Sequence, residues 1–289
     1  METKVLITGA TGATGKNAIA KLIESHIPVR AMVHKIDARS AELAAMGAEV
    51  VKGDLSDLGS VTAALKDISA AYFVYPIQVP GLIEATAYFI QAALENGVSH
   101  IVNMSQRTAR RDSPSHGAQN HWIAERLLDR SGIAVTHLRP TLFAEWLSYF
   151  AREIKDNNRL LSPFGSFPYA PIAGEDTGRV IAAILADPDT FAGQTLELYG
   201  AEELTQQQVT DLLSDELGRT ITYIPMEIEA FGEILSKYFT PYFVQHIAGV
   251  AQDFRSGISG GMNDYVEQIT GQKPLTMRGY IANNIQLFR

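Results

Sequence analysis

A run near the amino terminus, Gly9-Ala10-Thr11-Gly12-Ala13-Thr14-Gly15, spaces three glycines three residues apart between a β-branched stretch, Val5 to Thr8, and a helical pattern, Lys16 to Ser25. Such a turn handles phosphate. The first glycine allows the tight reversal, the second lets backbone approach a pyrophosphate, and the third lets the helix pack close to the strand. The start of the helix adds unpaired N–H groups and a partial positive charge. Its place, directly after a strand and at the head of a βαβ unit, reads as a dinucleotide site rather than a tight turn alone. The second strand, Val29 to Val33, ends in His34-Lys35, with no carboxylate before Asp37. An acid there would bond the ribose hydroxyls of NAD, whereas cations suit the extra phosphate of NADP. The cofactor expected is NADP(H), preferred over NAD(H). Lys35 supplies the charge, since an imidazole grips phosphate less firmly than a guanidinium would. Arg39 joins them only if the following turn folds back; Arg30, in mid-strand, need not face the ligand.

Further along lie candidates for the chemistry itself. His116 and His121 flank the start of the helix after the fifth strand, beside the crevice where such sheets hold ligands. His121 is the candidate proton or hydrogen-bond donor, set against a merely solvated imidazole. Glu125 follows it by one helical turn, but no second histidine stands at metal-motif spacing, and no metal is expected. Ser105, at a strand end, either bonds a carbonyl of a substrate or caps its own turn. Arg107, Arg110 and Arg111 either attract an anion or are simply solvated. Phe164, Phe167 and Tyr169 lie in an irregular, proline-punctuated stretch, Leu161 to Ala173, and are the candidates for the wall of an aromatic pocket. Trp122, Phe143, Trp146 and Tyr149 are weaker ones, because Phe143, Trp146 and Phe150 recur at the spacing of a buried helical stripe.

These residues need a scaffold. From Lys4 to His137 short β-branched runs alternate with segments whose apolar residues recur three and four apart, the rhythm of a doubly wound parallel sheet. Gly97 and Gly132 read as helix-terminal glycines. After Pro140 come an aromatic-rich helix, a helix from Glu175 to Ala186, a strand Thr195 to Leu198 and a helix Thr205 to Leu217 opened by a Thr205–Gln208 capping box. A strand Thr220 to Ile224 and a helical remainder, broken at Pro241, Gly257 to Gly261 and Pro274, complete the chain. The fold class expected is α/β: a Rossmann-like domain over residues 1–140 and a smaller mixed lobe over 141–289, partly interleaved with it.

Composition narrows the function classes. The chain has 289 residues, 46% hydrophobic, enough for a sizeable core. Lys plus Arg number 24 against 32 Asp plus Glu, so the net charge of −8 argues against nucleic acid as partner, and against reading Thr205 to Leu217 as half of a DNA-reading helix pair. There is no cysteine, which excludes disulfides, thiolate nucleophiles and Cys-ligated metals. Met1 to Lys4, with Glu2, lacks the pattern of a secretory signal, and no apolar run approaches the ~18 residues of a membrane span, so a cytoplasmic protein with no membrane partner is expected.

The glycine turn, Gly53-Asp54-Leu55 after the third strand, Ser131-Gly132-Ile133, Leu138-Arg139-Pro140 and Glu175-Asp176-Thr177-Gly178-Arg179 together resemble the NmrA-like family of atypical short-chain dehydrogenase/reductases over most of the chain. The resemblance implies that Gly9, Thr11, Gly12, Thr14 and Gly15 hold the pyrophosphate, and His34 and Lys35 the adenosine phosphate. It gives Asp54 and Leu55 the adenine, and Tyr75 and Pro76 the ribose near nicotinamide. Active short-chain dehydrogenases commonly pair a tyrosine with a lysine four residues on, which activates the phenol. None of the 11 tyrosines here has that lysine. Two functions fit: an oxidoreductase passing hydride from NADPH to a conjugated aromatic acceptor such as a quinone or azo compound, and a non-catalytic NADP(H) redox sensor acting through protein contacts. Either is compatible with a homodimer.

Overall fold

The computed structural model describes residues 4–289; the amino-terminal reading at Met1 to Thr3 lies outside them. Strands β1 (Val5–Ile7), β2 (Val29–Val33), β3 (Glu49–Lys52), β4 (Ala70–Phe73), β5 (His100–Met104) and β6 (Ala134–Pro140) alternate with helices α1 (Ala13–Glu24), α2 (Ala38–Met46), α3 (Leu58–Leu65), α4 (Leu82–Asn96) and α5 (His116–Asp129). A 3₁₀ helix (Ala144–Phe150), α6 (Ala151–Asn157), β7 (Arg159–Ser162), α7 (Gly174–Ala186) and β8 (Thr195–Leu198) follow. The chain ends with α8 (Gln206–Leu217), β9 (Thr222–Pro225), α9 (Ile228–Leu235), α10 (Pro241–Arg255), α11 (Tyr265–Thr270) and α12 (Met277–Asn283).

The expected doubly wound sheet is what the chain forms: seven parallel strands in the order β3-β2-β1-β4-β5-β6-β8. Successive strand residues face opposite sides, so each strand feeds two cores. Val5 and Ile7 pack with Ile19 and Leu22 of α1 and with Val180, Ile181 and Ile184 of α7. Leu6 packs on the other face with Val61 and Leu65 of α3, Phe89 of α4 and Leu128 of α5. Residues 141–289 thus contribute both a strand and a covering helix to the sheet. Their remaining apolar side chains form a separate core in which Leu147, Phe150, Phe231, Phe243 and Phe288 meet.

Local signals explain most boundaries. Gly97 closes α4 in the left-handed conformation, and Thr205 and Gln208 form their reciprocal cap on α8. Gly132 differs from expectation: α5 is closed by Arg130, and Gly132 (φ +82°) serves the turn beyond. The aromatic-rich stretch after Pro140 is first a 3₁₀ helix and only then α6. The segment read as irregular begins in β7, which pairs with β9, and is stitched to its surroundings by bridges from Ile172 to Phe143 and from Tyr169 to Leu204. Pro241 starts α10 rather than interrupting a helix, because it stands in the first turn, where a missing N–H costs nothing.

Candidate functional site

The glycine turn has the shape a dinucleotide requires, and its three glycines do different work. Gly9 adopts φ +57°, and a Cβ there would lie 2.5 Å from Val74 Cγ1. Gly15 faces inward, where a Cβ would stand 2.5 Å from the Gly9 carbonyl oxygen and 2.9 Å from Ala10 Cα. It sets how closely α1 returns to β1. Gly12 is exposed, and the one atom its Cβ would approach is the Gly9 oxygen at 3.2 Å. The space above it is open, so backbone can meet a phosphate there. Gly12 also starts α1 with no side-chain cap and no acid in the first turn, leaving the helix N–H groups for an anion. Thr11 stands beside it, while the Thr14 hydroxyl is tied to the Tyr72 phenol at 3.1 Å.

Beyond β2, His34 and Lys35 are exposed at the carboxyl end of the strand. His34 Nδ1 lies 3.7 Å from Asp54 Oδ2 across the ends of β2 and β3, with Leu55 next in line. Asp54 also accepts the Ser56 hydroxyl and N–H, which hold its carboxyl below the ordinary value. Asp37, the first acid after β2, is already engaged. It caps α2 by accepting the N–H groups of Arg39 and Ser40, and its Oδ2 accepts Arg39 Nη2 at 2.7 Å. Arg39 therefore does not fold back towards His34. Arg30 is buried away from this edge, donating to the carbonyls of Ala64 and Lys66.

A cleft of about 390 Å³ opens at the carboxyl ends of the strands, over the point between β1 and β4 where the strand order reverses. Its inner end includes Ala13 and Thr14, so it is continuous with the glycine turn. Tyr75, Pro76, Ser105 and His121 line it. His121 is buried, in the second turn of α5 rather than in a loop, while His116 is exposed at the start of that helix. Burial pushes the His121 imidazole down to about 4, against the opposing pull of the Glu125 carboxylate. It is neutral at pH 7. Glu125 is fully buried and gripped by Arg139, with Nε–Oε1 2.8 Å and Nη2–Oε2 2.5 Å. Burial works to raise the Glu125 carboxyl, and those bonds outweigh it. The Ser105 hydroxyl lies beside Glu125 and also favours its charged form. Tyr75 offers no activated phenol. Its hydroxyl donates to the Pro80 carbonyl, and burial raises its pKa.

The aromatic wall is not where the sequence placed it. Phe164 and Tyr169 are buried behind the cleft, Phe164 against Trp146 and Phe254, and Tyr169 bonded to Gln206. Phe167 is 50% exposed, over Gly257. None of the three lines the cleft: β7 and the two bridges draw their segment into the neighbouring core. The wall instead consists of Phe143, Trp146 and Tyr149 from the 3₁₀ region and Phe243 and Phe254 from α10. Trp122 lies outside, under the Arg126 guanidinium.

Several functional side chains have no local signature. His246 of α10 is bonded to the Ser115 hydroxyl at 2.7 Å, and burial, with His121 nearby, pushes it down to about 3. Glu145 lines the cleft and accepts the Gly174 N–H at 2.9 Å, its carboxyl raised by burial. Of the arginine loop, Arg111 is exposed and the other two are engaged. Arg110 clasps buried Asp253 of α10 through two bonds of 2.7 and 2.6 Å, and Arg107 bonds the Tyr199 phenol and pairs with Glu197. A glycine in the middle of α10 is the available clue to this crossing: a Cβ on Gly249 would stand 2.5 Å from Ser115 N.

Known proteins share this fold. The model of the NmrA-like family matches residues 1–280, and the chain belongs to that family. It is 29% identical over 291 residues to the NAD(P)H azoreductase of Xenophilus azovorans, covering 98% of this chain and 99% of that protein. Its fold resembles that of the NADPH complex of a quinone oxidoreductase from Escherichia coli (TM-score 0.86, 24% identity, 97% and 99% of the two chains). It also resembles the NADP(H) complex of a triphenylmethane reductase from Citrobacter sp. (TM-score 0.82, 22% identity, 96% and 99%).

Proposed function

We propose that this NmrA-like chain is an NADPH-dependent oxidoreductase that passes hydride to a flat, conjugated acceptor, a quinone or an azo compound. The observation that carries the reading is the continuity between the open phosphate turn at Gly12 and an aromatic-walled cleft at the sheet's switch point. That arrangement serves a nucleotide at one end and a planar ring at the other. The azoreductase relative, matched along nearly its whole length, supports it.

In this reading Gly9, Thr11, Gly12, Thr14 and Gly15 frame the pyrophosphate site, with Gly15 acting through packing. Lys35 and His34 face the 2′-phosphate, Asp54 and Leu55 the adenine, and Tyr75 and Pro76 the nicotinamide ribose. The bound cofactor would supply a hydride; a quinone that takes it together with one proton becomes a hydroquinone. The walls from α10 and the 3₁₀ region hold the acceptor flat and exclude water. His121, neutral in its buried position, donates a hydrogen bond to the acceptor without needing to be charged. The preference for NADPH follows from the engagement of Asp37 with Arg39, which leaves no free carboxylate for ribose hydroxyls.

The test is NADPH oxidation by the purified protein with quinones, azo dyes and small ketones, alongside thermal-shift titration with NADPH. Turnover of quinones or azo dyes with slow ketone reduction is expected. Strong stabilisation by NADPH with no turnover on any acceptor would instead assign the protein to redox sensing.

A further inference from the structure

His121 of α5 and His246 of α10 stand near one another on the cleft wall. Among the described residues, the one side-chain hydrogen bond that either ring makes joins His246 Nδ1 to Ser115 Oγ at 2.7 Å. Ser115 is fully buried and caps α5, its oxygen accepting the Ala118 N–H at 3.1 Å. A hydroxyl has one proton to give. Were the imidazole the donor in the bond to Ser115, the hydroxyl would accept twice and its own proton would be buried without an acceptor, a state folded proteins seldom tolerate. Ser115 therefore donates to Nδ1, and the neutral ring carries its proton on Nε2.

The two nitrogens lie on diverging edges of the ring. The Nδ1 corner is pressed against α5, where a Cβ at Gly117 would stand 2.6 Å from it. Nε2 points away from that contact. It has no hydrogen-bond partner, yet it is not sealed in as the Trp146 indole nitrogen is, so it keeps surface of its own. His246 is 5% exposed, and the surface it keeps belongs to the cleft wall. Burial, with His121 nearby, pushes the imidazole down to about 3, so at pH 7 it has one donor and one acceptor and Ser115 has claimed the acceptor.

We infer that His246 is a second hydrogen-bond donor to the bound acceptor, giving its Nε2–H to a quinone carbonyl oxygen, and that Ser115 is the positioning residue that fixes this tautomer. The inference rests on the cleft being the acceptor site. His121 has neither nitrogen committed, so its tautomer follows the ligand, whereas that of His246 is set before any ligand arrives. A donor held in place where negative charge gathers on the oxygen, as hydride reaches the quinone ring, stabilises the transition state more than the ground state. His246 bonds and keeps its proton; the one that completes the hydroquinone comes from solvent.

The experiment compares His246→Asn with His246→Gln, using NADPH and 1,4-naphthoquinone. The asparagine amide can replace Nδ1 at Ser115 but stops short of the Nε2 position, which the glutamine amide reaches. Expected is a fall in kcat/KM of about tenfold in His246→Asn and a value within about threefold of wild type in His246→Gln. A purely structural role through Ser115 predicts the reverse order, and that order, or equal kcat/KM in the two variants, overturns the inference. If either variant fails to fold, the nitrogen NMR spectrum of the wild type decides. A His246 proton on Nε2 whose signal shifts on adding 1,4-naphthoquinone upholds the inference; a proton on Nδ1, or a signal indifferent to the quinone, overturns it. If the wild type turns over no acceptor, the functional reading falls and calorimetry on the NADP⁺-loaded protein decides this one. Affinity for 1,4-naphthoquinone about tenfold weaker in His246→Asn and near wild type in His246→Gln upholds it, and equal affinity, or none in the wild type, overturns it.

Discussion

The glycine turn and the aromatic-walled cleft share one crevice, yet they are built from different materials. The turn is backbone. Its shape resides in the φ angle of Gly9, the missing Cβ of Gly12 and the close approach at Gly15, all within seven consecutive residues. The cleft is side chain. Its walls come from strand ends, α5, the 3₁₀ region and α10, segments separated by more than a hundred residues and joined by the Arg110–Asp253 clasp and the Ser115–His246 bond. A backbone site tolerates almost no change at its glycines and almost any change around them. A side-chain site can be altered wall by wall.

The largest effect should separate two glycines within the turn. Gly15→Val drives a branched side chain into the Gly9 carbonyl and should cost upwards of about 3 kcal/mol, so that little folded protein is recovered. Gly12→Val should leave the circular dichroism spectrum and melting temperature of the unliganded protein close to wild type while weakening NADPH on the order of 100-fold by titration. Equal effects of the two substitutions would break the distinction between packing and binding glycines.

The second effect belongs to the cleft. His121 and His246 are both held below the ordinary value of about 6.5, at about 4 and about 3, so between these limits the unfolded chain binds more protons than the folded one. Stability is complete above about pH 6.5 and is lost as pH falls towards 4, each group contributing a slope of up to about 1.4 kcal/mol per pH unit. Urea unfolding from pH 7 to 4.5 should show that slope, and His246→Asn should remove about half of it. A stability profile flat over that range would mean that neither imidazole is buried as described.

Smaller effects sharpen the boundary between the regions. Lys35→Ala should reduce the preference for NADPH over NADH about tenfold in Kd, since one charge-assisted bond to the 2′-phosphate is lost. Phe167→Ala should change KM for any acceptor by less than about twofold, because that ring lies on the surface over Gly257.

What can be read in advance follows the same division. The strand–helix rhythm, the capping pair Thr205–Gln208 and the glycine turn are local patterns, and the sheet, the cap and the open turn appear where those patterns place them. His121 is legible because the amino-terminal part of the helix after the fifth strand borders the crevice. Helical periodicity counts Trp146 as core, yet its ring is packed on one side and open to the cleft on the other, and no spacing rule separates those two faces. Phe164, Phe167 and Tyr169 mislead because proline punctuation marks loops, and this one is drawn into its neighbours by single bridges at Tyr169 and Ile172. Asp253 and His246 carry no local signal at all. Their partners, Arg110 and Ser115, lie more than a hundred residues earlier in the chain.

The bedding of α1 upon α7 has a consequence for how the protein is made. Gly174 and Gly178 let the two helices touch: a Cβ at Gly178 would lie 2.6 Å from Asn17 Cβ and 2.9 Å from the Thr14 carbonyl oxygen, and one at Gly174 would lie 2.6 Å from Ala13 Cβ. The first helix synthesised is thus seated by one of the later ones, and β6 stays an open edge until β8 arrives. On a ribosome adding roughly 5–20 residues per second, the phosphate turn would wait on the order of ten seconds for its support. A fragment cut at Pro140 would expose a bare strand edge inviting aggregation.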